Sequence, residues 1–130
     1  MELAGPDPRP ARPADVLIVE DDPIIALDFE DTIAGFGVKT VRTAPSVAKA
    51  LRLIADRPPD FALLDVGLIR ENSFAIAERL QALQVPFVFV TGYDATGSFP
   101  PQFTKVPRLP KPCSSEALAA VLRARSDAGR

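Results

Sequence analysis

Three short apolar runs constrain this chain most: Val16-Leu17-Ile18-Val19, Phe61-Ala62-Leu63-Leu64, and the stretch from Pro86 to Val90. Each is too short for a helix and shows no alternation of apolar with polar side chains, as expected of a strand covered on both faces. Strands of that kind belong to parallel sheets, whose crossovers place helices on either side. Each run also ends on chemistry: Glu20-Asp21 after the first, Asp65 after the second, Thr91 after the third.

The intervening segments read as helices and weaker strands. Asp22 before Pro23 forms an N-cap followed by a proline at the first helical position, and Ile25, Phe29, Ile33 and Phe36 recur at helical spacing until Gly35 and Gly37. Val38 to Val41 is predicted as a strand. Thr43 or Ala44 with Pro45 opens a helix carrying Val47, Ala50, Leu51 and Ile54, closed by Pro58-Pro59. Ser73 to Leu83 places Phe74, Ala77, Leu80 and Leu83 on one helical face. Lys105 to Leu109 is a short strand, confined by Pro107 to a sheet edge. Ser115 to Arg125 is a final helix with Leu118, Val121, Leu122 and Arg125 at helical spacing and Ser114 or Ser115 as cap. This alternation predicts an α/β fold, a doubly wound five-stranded parallel sheet with helices on both faces.

The rhythm falters after Thr91. Gly97, Pro100 and Pro101 fall where another helix is due, and an interior proline costs a helix roughly 3 kcal/mol. The fourth helix is therefore expected to be short, irregular or mobile across residues 94–106.

A length of 130 residues leaves room for one domain. The expected division is a disordered Pro-rich arm at 1–14, a folded domain at 15–126 and a disordered tail at 127–130, with no effector domain. A net charge of -2 and a pI near 5.1 provide no basic field for nucleic acid. No run approaches the roughly 18 apolar residues of a membrane span, and the arm lacks the apolar core of a secretory signal, so a cytoplasmic location is expected. With no histidine and a single cysteine, Cys113, the chain holds neither a zinc cluster nor a histidine-assisted nucleophile. Carboxylates, lysine and hydroxyls remain, a set suited to a hard cation and phosphoryl groups.

Ligands of open parallel sheets bind beyond the carboxyl ends of the strands. Glu20, Asp21, Asp65, Thr91 and Lys111 all fall there. Clustered carboxylates repel one another unless a cation neutralises them, which makes a divalent metal the natural occupant. A carboxylate could then serve as the acceptor of a phosphoryl group.

Val-Leu-Ile-Val-Glu-Asp-Asp-Pro at 16–23, Leu-Leu-Asp-Val at 63–66, Phe-Val-Thr-Gly at 89–92 and Lys111-Pro112 resemble, in order and spacing, the receiver domain of bacterial two-component response regulators. The resemblance covers about residues 15–126 and implies the flavodoxin-like strand order 2-1-3-4-5. It implies that Asp65 accepts phosphate from a sensor histidine kinase or histidine phosphotransferase. Mg²⁺ would be held by Asp21 and Asp65, by Glu20 through water, and by the carbonyl of Gly67. Thr91 would be the switch hydroxyl and Lys111 the phosphate-pairing lysine, ahead of a cis Lys-Pro bond, while Asp22 stays a helix cap. Such a protein is a signalling phosphoacceptor that chemically transforms only itself, passing its state to a downstream protein partner.

Two departures stand out. Receivers usually carry an aromatic three residues before the lysine, where this chain has Arg108. Phe89-Val90-Thr91-Gly92-Tyr93 instead resembles the signature of the FAT GUY receivers, with Val90 in place of alanine and Asp94 where a further aromatic is expected. Tyr93 is read as packing or as a gate beside Thr91, Arg108 as an edge charge or a partner contact, and Cys113 as a small buried hydrophobe. Two rival readings keep the fold: a phosphorylation-independent interaction module, and a hydrolase with Asp65 as transient nucleophile. The hydrolase lacks a second acid two residues on, where Gly67 stands.

Overall fold

The computed structural model describes residues 13–68, 71–92 and 99–128. The strands are β1 (Asp15–Val19), β2 (Thr40–Ala44), β3 (Phe61–Asp65), β4 (Phe87–Thr91) and β5 (Arg108–Pro110). The helices are α1 (Pro23–Gly35), α2 (Val47–Asp56), α3 (Phe74–Ala82) and α4 (Ser115–Ala128), with a 3-10 turn at Pro101–Phe103. All five strands run parallel in the order β2-β1-β3-β4-β5. A two-residue antiparallel ribbon, Gly67–Leu68 with Glu71–Asn72, sits beyond β3 and was not foreseen.

Alternate strand residues divide the core. Leu17, Val19, Ala62, Leu64, Phe87 and Phe89 meet Ala50 and Ile54 of α2 and Ile76, Ala77 and Leu80 of α3. Val16, Ile18, Leu63, Val88 and Val90 meet Phe29 and Ile33 of α1 and Leu118 and Leu122 of α4. Each large side chain buried this way contributes about 1.5–3 kcal/mol, so the unbroken apolar runs demand cover on both faces.

Local chemistry sets the helix ends. Asp22 Oδ1 accepts from the amides of Ile24 and Ile25 at 2.9 and 3.3 Å, Ser46 Oγ from Lys49 N at 3.2 Å, and Ser114 Oγ from Ala117 N at 3.0 Å. Ser73 stands at the N-cap position of α3, yet its buried hydroxyl makes no capping bond; Asn72 Oδ1 takes the Phe74 amide instead, at 3.0 Å. Gly37, with φ 91°, turns the chain from α1 toward β2.

Strand boundaries needed correction at both sheet edges. The second strand is Thr40–Ala44 and not 38–41: Val38 is buried under α1 before the strand starts, and an edge strand with one neighbour accommodates Thr40, Arg42 and Thr43. The fifth is Arg108–Pro110 and not 105–109, because the Val106 amide closes a turn onto Phe103 O and pairing starts when Phe89 N donates to Pro107 O. At the chain ends, Pro13 is already buried against the domain, residues 1–12 lie outside the described residues, and α4 runs past residue 126 to Ala128.

Arg42 explains why an edge strand carries a nearly buried cation. Its guanidinium grips Asp15 through Nε and Nη2, both at 3.0 Å, and donates to the carbonyls of Leu53 at 3.0 Å and Arg57 at 2.8 Å. It thereby joins β2 to β1 and satisfies carbonyls at the end of α2. Arg57 Nε makes a second bond to Asp15 Oδ2. Arg42→Ala is expected to lower the unfolding free energy by about 2 kcal/mol, since Arg57 still pairs with Asp15 while the helix end loses its donor. A urea midpoint that does not move would contradict this.

Candidate functional site

Sheet order brings the site together. β1, β3, β4 and β5 are consecutive neighbours, so their carboxyl ends lie side by side along one edge of the sheet. Glu20 prolongs the β1–β2 ladder by one bond, its amide donating to Ala44 O at 3.0 Å, and Asp65 closes β3. The Lys111 amide donates to Thr91 O at 2.8 Å, which fixes lysine and threonine at adjacent strand ends. The Lys111–Pro112 peptide is cis.

The Lys111 ammonium lies 2.9 Å from Glu20 Oε1 and 3.0 Å from Asp65 Oδ2. Glu20 and Asp65 are 3% and 5% exposed, so this is a nearly dry site with an open rim at Asp21. Asp65 Oδ1 accepts from Gly67 N at 3.2 Å, and Glu20 Oε2 from Asp22 N at 3.2 Å. One carboxylate oxygen each from Glu20, Asp21 and Asp65 falls within 4.8 Å of the others. Lys111 meets Glu20 Oε1 as a charge contact outside hydrogen-bond alignment, and that buried oxygen has no hydrogen-bond partner. Three hard oxygen donors, one with an unsatisfied lone pair, fit a small divalent cation. Clefts of about 390 Å³ open on either side of α1, one past Glu20 and Asp21 toward Thr43, the other past Lys111 toward Cys113.

Residues 16–123 match the response regulator receiver domain. The chain belongs to that family. The receiver is similar to the solution structure of SdrG from Sphingomonas melonis Fr1, at 36% identity and TM-score 0.74, over 92% of this chain and 97% of that one. It also resembles the BeF3-activated conformation of SdrG from Pseudomonas melonis Fr1, at 37% identity and TM-score 0.70, over 87% and 96% of the two chains. The phyllosphere-induced regulator PhyR of Methylorubrum extorquens is 29% identical over 96 residues, which is 72% of this chain and 36% of PhyR. The receiver thus spans about a third of the length of that relative.

Charge in the receiver's site is unbalanced. Burial raises the Glu20 pKa from 4.5 to about 7; the Lys111 ammonium opposes this, and the neighbouring Asp65 adds to it. Burial acts to lower the Lys111 pKa, but Glu20 and Asp65 outweigh it and the net shift is upward, so the lysine stays charged. Burial also raises the Cys113 thiol against the influence of Lys111, and its Sγ donates to Pro110 O at 3.2 Å, so the half-buried cysteine packs as an unreactive thiol.

Glu20, Asp21, Asp65 and Lys111 are therefore brought into one cluster, and Gly67 touches it through its amide. Thr91 is half-buried at the adjoining strand end. Tyr93 lies outside the described residues. Arg108 is exposed, and its guanidinium carbon sits 3.7 Å from the ring centroid of Phe99. Sequence reading missed the group this belongs to: Phe74, Phe87, Phe89, Phe99 and Phe103, in mutual ring contact beside α3. Three of these rings lie in apolar patterns, but Phe99 and Phe103 flank prolines, where no periodicity marks them.

Proposed function

We propose that Asp65 accepts a phosphoryl group from a sensor histidine kinase or histidine phosphotransferase, with Mg²⁺ at the Glu20-Asp21-Asp65 cluster, and that the phosphorylated form signals through protein contacts. The observation that carries this reading is the Lys111 ammonium held between the buried carboxylates of Glu20 and Asp65, with Asp21 close enough to complete a three-oxygen cluster. An Asp65 oxygen attacks phosphorus; its P–O bond forms as the P–N bond to the donor imidazole breaks, and the imidazole leaves with the electron pair and takes up a proton. Mg²⁺, when bound, would supply neutralisation of charge on the phosphoryl oxygens. Asp21 and Asp65 would hold the ion directly, Glu20 would hold it through water, and the Gly67 carbonyl would complete the set. Lys111 pairs with a phosphoryl oxygen, and Thr91 turns its hydroxyl toward another. On this reading the protein is a phosphoacceptor and not a turnover enzyme.

The face that meets the donor is α1, where Ile24 and Leu27 are 79% and 55% exposed next to the acidic cluster. Large apolar side chains so placed are suited to a protein surface. The Phe89-Val90-Thr91-Gly92-Tyr93 sequence is what supports placement among FAT GUY receivers, and among the described residues no helix is long and apolar enough to cross a membrane. Arg108, in place of an aromatic on β5, favours a second reading, a module that binds its partner irrespective of phosphate. Amide NMR spectra with Mg²⁺ alone and with added beryllofluoride separate the two. The phosphoacceptor shows shifts at Gly67, Thr91 and Lys111 that extend along β5; a silent spectrum leaves the interaction module.

A further inference from the structure

Phe99 is clamped between two kinds of partner. Beneath it lie Phe89, with centroids 5.0 Å apart at 61°, and Phe74, 5.5 Å away at 58°. Arg108 covers it at 3.7 Å. Phe89 and Arg108 are register partners on β4 and β5, so their side chains leave the same face of the sheet, and Thr91, two residues beyond Phe89, shares that face. Phe89 and Phe103 are fully buried, whereas Phe99 is half-buried at the rim. The rim ring is thus the half-buried member of the cluster, and Arg108 is its cover on the exposed side. Among the described residues no carboxylate lies within ion-pair distance of Arg108, and a weakly hydrated, planar guanidinium is well suited to cover an aromatic face.

We infer that Arg108 and Phe99 form a cation–π latch that holds the Phe99 ring in its resting position against β4 and β5, and that the ring leaves the guanidinium when Thr91 turns toward a phosphoryl group on Asp65. The inference rests on the proposed switch role of Thr91. It assigns Arg108 a duty inside the molecule, coupling β5 to β4 without the usual aromatic of that strand. The same contact makes the resting state more stable relative to the switched one, so its loss favours switching.

Beryllofluoride titration in excess Mg²⁺ tests the latch on the full chain. Arg108→Ala is expected to tighten the apparent affinity about two- to fivefold, the equilibrium worth of an exposed cation–π contact. Phe99→Leu should do the same, and the double variant should add little to either single change. Arg108→Lys should fall between wild type and Arg108→Ala. In the wild type the Arg108 Nε–H resonance, moved upfield by the ring, should shift downfield on saturation. Unchanged or weakened affinity in Arg108→Ala, or an Nε–H resonance that stays in place, overturns the latch alone. Failure of the wild type to bind beryllofluoride overturns the phosphoacceptor reading and the latch together, so the two failures are distinguishable.

Discussion

Asp65→Asn is expected to reduce acid-labile labelling from acetyl phosphate, or from a phosphohistidine donor, to background. A carboxamide has the shape of the carboxylate but lacks its nucleophilic oxygen, so the chemistry is lost without a change in volume. The variant should fold: its side-chain oxygen still accepts from Gly67 N, and Lys111 retains Glu20 as an anionic partner. Removing one negative charge from a crowded, nearly dry cluster also relieves repulsion, so thermal stability without metal should hold or rise slightly. Undiminished labelling, carried by Glu20 or Asp21, would show that the acceptor is misassigned.

Metal-free protein should lose stability as pH rises from about 4.5 to about 7 through Glu20. Its carboxyl titrates near 7 in the fold, against an ordinary 4.5. Between those values the native state holds a proton that the unfolded chain has released, so the slope of stability against pH is negative; above 7 both states are ionised and the contribution is flat. The full loss is of the order of 3 kcal/mol. Glu20→Gln should flatten this dependence, so the difference between the two proteins' melting curves across pH 5 to 8 reports the titration of Glu20 together with its coupling to Asp65 and Lys111. Saturating Mg²⁺ should restore the wild type at pH 8 and do much less at pH 5.5, where the ion must displace the proton. A wild-type curve parallel to that of Glu20→Gln, with Mg²⁺ stabilising equally at both pH values, would place neither the proton nor the ion at Glu20.

The central strands were legible because the surroundings of a fully covered strand leave a local mark: Val16 to Val19 and Phe61 to Leu64 are unbroken apolar runs, and both are strands. Edge strands leave no such mark. Val38 looks like strand and is not, while Thr40, Arg42 and Thr43 look like loop and are strand, because an edge exposes one side and because Arg42 is satisfied by Asp15 and the end of α2. Caps were readable at Asp22 and Ser114, where a side chain reaches an amide two or three residues on. Ser73 has the right residue type and position, but its hydroxyl is left unpartnered and Asn72 takes over.

The candidate site divides in the same way. Residue order and strand ends identified Glu20, Asp21, Asp65, Thr91 and Lys111, since a parallel sheet must present its carboxyl ends together. Which charges pair was beyond that rule: the bridging of Glu20 and Asp65 by one ammonium, and the alignment of that contact at Glu20, depend on side-chain directions that no spacing encodes. The stacking of Arg108 on Phe99 is further still from local pattern. The sequence by itself determined the alternation of elements, the buried faces and the polar groups gathered at the strand ends, because these follow from local periodicity and from the hand of parallel crossovers. Only the tertiary structure decided the pairing of charges and the clamping of the rim ring, because the first requires side chains at the ends of β1, β3 and β5 to meet in space and the second requires β4, β5 and Phe99 to do so.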